Sequence, residues 1–111
     1  MIQLLEYTDT DGQSPFANWF NDLDASAASK IATALIRVEQ GNLSNAKGVG
    51  AGVLEYRIDS GPGYRIYFGK DGERLVILLT GGTKKRQQRD IEAAQARWDD
   101  YKQRKRQRGG K

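Results

Sequence analysis

The sequence predicts an α+β fold with the element order β-α-α-β-β-β-α, an antiparallel meander sheet packed against helices. Three observations predict it. Apolar residues recur at helical spacing between Phe16 and Val38. From Val53 to Phe68 they alternate, which is the period of a strand with one face inward. Turn signals "SGPG" and "KDGE" then divide the second half into three strands, and helical spacing returns at Ile91.

Each element has its own warrant. "IQLLEY", residues 2–7, forms a short strand, and "DTDGQSP" breaks it. Ser14 followed by Pro15 reads as an N-cap with proline at the first helical position. Phe16, Trp19, Phe20 and Leu23 then share one face. Asp24 or Ser26 can cap a second helix, whose stripe is Ala27, Ile31, Ala34, Leu35 and Val38 and whose end is Gly41-Asn42. The short link makes the two a helical hairpin. "LSNAKGVGAG", residues 43–52, reads as a glycine-rich loop. In the next two strands Leu54, Tyr56 and Ile58, then Tyr64, Ile66 and Phe68, face the core. Glu55, Arg57, Arg65 and Tyr67 occupy the other face, which is expected to be open. Asp71-Gly72 favours a type I′ hairpin. "RLVILLT" is apolar on both faces and reads as a central, doubly covered strand that Gly81-Gly82 ends. Ile91, Ala94, Trp98 and Tyr101 mark a last helix, and "KQRKRQRGGK" loses the stripe and reads as frayed. The domain is placed at residues 1–105, with 106–111 a basic flexible tail.

At 111 residues the chain has room for one core. It holds no Cys and no His, so no cysteine or histidine metal site can form and no cofactor is expected. No segment reads as a secretory leader, and none approaches the roughly 20 apolar residues of a membrane span. A cytoplasmic protein without membrane partners is the expectation. The net charge of +4 is unevenly spread. Residues 84–111 carry eleven Lys/Arg against four Asp/Glu, while residues 1–83 carry a net −3. A basic segment on an acidic domain points to nucleic acid, an acidic partner or a solvated tail.

"GVLEYRIDSGPGYRIYF", "VILLTGGTKK" and "QQRDIEAA" resemble the RelE/ParE superfamily of type II toxins. The nearest likeness is to its phage-derived, HigB-like "addiction module killer" branch, and "SPFANWFNDL" also fits. The resemblance implies a ribosome-dependent endoribonuclease that cuts mRNA. It also implies a cognate helix-turn-helix antitoxin as protein partner, with the ribosome and mRNA as targets. A different branch poisons gyrase, and a non-catalytic toxin-like binding module is a third reading. By motif position Arg65 matches the family's phosphate-binding arginine, and Lys84 or Lys85 falls near its second basic catalytic position. Ile91 stands where some relatives carry a catalytic tyrosine, which leaves Tyr67 or a ribosomal group as a substitute. Where the branch reads like "GGDKSTQ", Thr83 replaces the acid here and Lys85-Arg86 replace the small pair.

RNA cleavage by this route has the 2′-OH attack the adjacent phosphate. It needs a base, an acid for the departing 5′-oxygen, and positive charge for the phosphorane. Histidine is absent. A lysine can act as the base when surrounding cations depress its pKa. The candidate catalytic set is therefore Arg65, Lys84, Lys85 and Tyr67. Arg57, Arg86, Gln88 and Arg89 are the candidate RNA-binding set. The bland alternatives are concrete. Arg57 and Arg65 can pair with Glu55 or Asp59 on a solvated sheet, and Asp90 can pair with Lys84 or Arg86. Against solvation, cations at a helix start oppose the macrodipole.

Overall fold

A computed structural model describes residues 1–109 and confirms a mixed α+β fold, a five-stranded sheet with helices on both faces. The chain runs β1 (Gln3–Glu6), α1 (Pro15–Asn21), α2 (Ala25–Glu39), β2 (Ala46–Gly48), β3 (Val53–Ile58), β4 (Tyr64–Lys70) and β5 (Leu75–Thr83). A 3₁₀ turn (Lys84–Arg86) leads into α3 (Gln87–Gly109). The strand order is β1-β5-β4-β3-β2. β1 lies parallel to β5 and every other pair is antiparallel.

The helix starts follow their caps. Ser14 Oγ accepts the Ala17 N–H at 3.0 Å, and Asp24 Oδ1 accepts the Ala27 N–H at 2.8 Å. The α2 stripe buries Ala27, Ile31, Ala34 and Val38, and Gly41 turns the chain away at φ 83°. Phe16, Ile31, Ala34 and Val38 pack on Tyr56, Ile66, Phe68, Val76 and Leu78, one face of the sheet. On the other face Ala94 and Trp98 of α3 pack on Val53, Tyr67, Ile77 and Leu79, with Tyr7 at the edge. β5 is thus covered on both sides, as its two-faced apolar run requires.

Five expectations are corrected. The glycine loop contains β2, paired to β3 from Ala46 opposite Tyr56 to Gly48 opposite Leu54. Three residues are too few to show alternation. The glycines do not end β5, which continues through Gly81 and Gly82 to Thr83. Both are needed for close approach: a Cβ on Gly81 would run into the Trp19 ring, and one on Gly82 into the Asp90 carboxylate. The hairpin after β4 has four loop residues, and Gly72 alone of its central pair takes positive φ, so it is not type I′. The sheet face bearing Glu55, Arg65 and Tyr67 is not open, because α3 lies across it. Finally α3 does not fray at Lys102 but stays helical to Gly109. Arg104 donates to Thr8 O at 2.6 Å and Lys105 reaches Asp71 at 2.6 Å, so side chains anchor the helix where its apolar stripe stops. Of the proposed 106–111 tail, residues 110 and 111 lie outside the described residues.

Candidate functional site

The register of β3 and β4 sets Arg57 directly opposite Arg65, and Gly82 of β5 lies opposite Arg65 on its other side. The "SGPG" turn brings in the next cation. Gly63 N–H donates to Ser60 O at 3.0 Å, and Lys84 N–H donates to Gly63 O at 2.8 Å. A Cβ on Gly63 would meet Lys84 Cβ at 3.3 Å and Arg65 Nη1 at 3.7 Å. Two strands and one turn therefore converge Arg57, Arg65 and Lys84.

Arg65 is 4% exposed. Its Nη1 donates to Tyr64 O at a long 3.4 Å, and its Nε is buried with no hydrogen-bond partner, the one such side-chain atom among the described residues. A buried donor left unmade costs about 1–3 kcal/mol, more on a charged group. Nearby Glu55 is fully buried and fully used. Its carboxylate accepts from Arg57 Nε at 3.1 Å, Tyr67 Oη at 2.9 Å and Gln87 Nε2 at 2.8 Å. Burial pushes the Glu55 carboxyl up, but the bonds from Gln87, Arg57 and Tyr67, with the charge of Arg57, outweigh it and hold it below its ordinary value. Glu55 thus serves Arg57 and not Arg65.

Tyr67 is completely buried. Burial first, and then its bond to Glu55, raise its phenol above the ordinary value. It shares a face with Arg65 as its parity requires, but its hydroxyl is engaged inside the protein. Asp90 lies against the bare backbone of Gly82, and among the described residues no cation forms an ion pair with it. The expected pair with Lys84 or Arg86 is absent, because those side chains extend into solvent while Asp90 turns toward the sheet. Burial raises the Asp90 carboxyl, and Arg86, Arg97 and Arg89 only partly oppose this.

Lys84, Lys85, Arg86, Gln88 and Arg89 are all exposed. Lys85, Arg86, Gln88 and Arg89 line one open depression, so they form a basic shelf beside the convergence point. Gln88 spends its amide on Glu92 at 3.1 Å. Arg57, with a side chain 40% exposed, opens outward onto a recess bounded by Asn45 and Asp59. Among the described residues no cluster of metal-ligating side chains exists. Gln87 escaped sequence reasoning, since a neutral residue at a helix start carries no signal until its bond across to β3 is seen. Glu55 was visible only as a surface partner for Arg57.

Chemically, the arrangement supplies one buried guanidinium with an unpartnered Nε and exposed cations beside it. That combination fits a phosphate, which takes charge-assisted hydrogen bonds from arginine with directional geometry.

Residues 18–99 match the family described as "Phage derived protein Gp49-like (DUF891)". The chain is also similar to an uncharacterized protein of Haemophilus influenzae (strain ATCC 51907 / DSM 11121 / KW20 / Rd), 41% identical over 80 residues. That match covers 71% of this chain and 81% of the relative.

Proposed function

Given that the chain belongs to the Gp49-like family of phage-derived proteins, we propose that it is the toxin of a type II toxin–antitoxin system. Its activity on this reading is cleavage of mRNA on translating ribosomes, in the cytoplasm. Its silencer is a helix-turn-helix antitoxin. Membership in a toxin-like family supports the class. The observation that carries the chemistry is the buried, unpartnered Nε of Arg65 beside Lys84 and opposite Arg57.

Arg65 binds the scissile phosphate and takes the charge of the phosphorane. The 2′-oxygen forms its bond to phosphorus as the bond to the 5′-oxygen breaks, leaving a 2′,3′-cyclic phosphate and a 5′-hydroxyl. On this reading Lys84 and Lys85 take the 2′ proton and return one to the leaving oxygen. Arg57 supports the phosphate from the neighbouring strand. Tyr67 acts through Glu55, which holds Arg57, rather than by touching RNA. On the shelf, Lys85, Arg86 and Arg89 grip the RNA backbone by charge, with neutral Gln88 beside them.

The experiment is inducible expression of the wild type and of Arg65→Ala/Lys85→Ala, with mapping of mRNA 5′ ends. New ends inside translated codons, seen with the wild type and lost in the variant, are expected. Growth arrest with an SOS response and no new ends moves the target to gyrase. Harmless expression leaves a binding module.

A further inference from the structure

The far end of α3 carries a feature that the basic site does not use. An open groove of about 680 Å³ lies where α3 meets the end of β4. Trp98 and Tyr101 form its floor, and Lys70, Lys102 and Arg106 stand at its rim. The two rings stack on each other, centroids 5.2 Å apart and planes 6° from parallel. Its one acid, Asp71, is already committed: Tyr101 donates to it at 2.7 Å and Lys105 pairs with it at 2.6 Å. The groove therefore offers an apolar floor inside a rim of cations.

Trp98 chooses between the classes of ligand. It is 5% exposed. One side packs so closely on Gly69 that a Cβ there would meet the ring at 2.5 Å. Tyr101 stacks on the ring, and Lys102 Nζ stands 5.7 Å from its centroid. With Gly69 on one side and Tyr101 on the other, the Trp98 ring gives a nucleobase no stacking platform. Aliphatic side chains can fill the apolar floor, while carboxylates meet the rim.

We propose that this groove docks an acidic amphipathic segment of a partner protein. On the toxin reading, which this identification alone rests on, that partner is the antitoxin. From Gln87 to Trp98 the helix rises roughly 16 Å at 1.5 Å per residue, so the segment grips α3 well away from Arg65.

The test uses the whole ¹⁵N-labelled protein and an amphipathic peptide of about 16 residues, with leucine at helical spacing and glutamate elsewhere. The expected result is a shift of the Trp98 indole and the Lys102 amide. The Trp19 indole, on the opposite sheet face, stays still. Lys102→Glu/Arg106→Glu then weakens binding by about tenfold or more. A peptide that moves only the Lys84–Arg89 amides overturns the proposal, as does one that moves nothing. A single-stranded RNA oligomer that fills the groove as tightly as the peptide overturns it too. The toxin reading is separated by expressing the same double variant. It should arrest growth as the wild type does. If the wild type causes no arrest, that reading falls while the peptide result stands by itself.

Discussion

Arg57 and Arg65 face each other across adjacent strands, yet Glu55 bonds only Arg57 and leaves the buried Nε of Arg65 without a partner. A fold selected for stability alone would give the deeper cation the carboxylate. Here the deeper cation keeps one bond, from Nη1 to Tyr64 O, and its Nε is left open; on the proposed function an RNA phosphate would take that donor.

Replacing Arg65 therefore should separate stability from function. Arg65→Met removes a buried charge and an orphaned donor while keeping volume, and such changes are often neutral or stabilising. The thermal midpoint is expected at or above that of the wild type, with growth arrest and RNA binding lost. A midpoint more than about 8 °C lower, roughly 1–2 kcal/mol for a domain of this size, would make Arg65 structural.

Buried Glu55 and half-buried Asp90 should respond to pH with opposite signs. Glu55 has a lowered folded pKa, so its contribution is present above its unfolded value and is lost as pH falls through the folded one. Glu55→Gln should lower stability at pH 7, and the deficit should shrink on acidification. Asp90 has a raised folded pKa, so the unfolded chain ionises first and stability falls as pH rises through that window. Asp90→Asn should raise the midpoint at pH 7 and lose that advantage in acid. Midpoints from pH 3 to pH 8 check both, and parallel curves for wild type and variants would contradict the assignment.

Close glycine contacts give a packing prediction. Gly69→Ala drives a Cβ into the Trp98 ring at 2.5 Å. Overpacking of this kind costs about 1–3 kcal/mol. Denaturant melts should show the loss with an unchanged slope, and no loss would mean that α3 shifts freely.

RNA affinity should depend on salt through the basic shelf. Lys85→Ala and Arg89→Ala should each reduce the slope of log K against log salt by about 0.7, the value for one phosphate contact on a single strand. Arg106→Ala, on the distant groove, should leave the slope unchanged.

Much of this was legible in the sequence. Ser14-Pro15 and Asp24 carry cap chemistry in their residue types, and α2 carries a clean 3.6 period, so both helices start and bury where expected. The alternation from Val53 to Phe68 fixed which residues share a face, and Arg57 and Arg65 do. It could not say whether that face is covered, because charged residues read as solvent-facing. Only the path of α3 shows Glu55, Arg65 and Tyr67 buried together. The tail misled for a related reason: its order comes from Arg104 and Lys105 reaching distant backbone and Asp71, not from an apolar stripe. Gly81 and Gly82 read as a strand end, whereas each makes room for a side chain that arrives from elsewhere in the chain.

On the proposed function the Arg65 guanidinium receives an RNA phosphate. The most direct measurement is the ¹H–¹⁵Nε resonance of Arg65, identified by its absence in Arg65→Met, during titration with a short 2′-O-methylated single-stranded RNA that cannot be cleaved. A large downfield proton shift that saturates with the RNA is the predicted result. An Arg65 Nε resonance that stays fixed while the amides of Lys84–Arg89 saturate would contradict it, and would leave the shelf a non-specific cation patch.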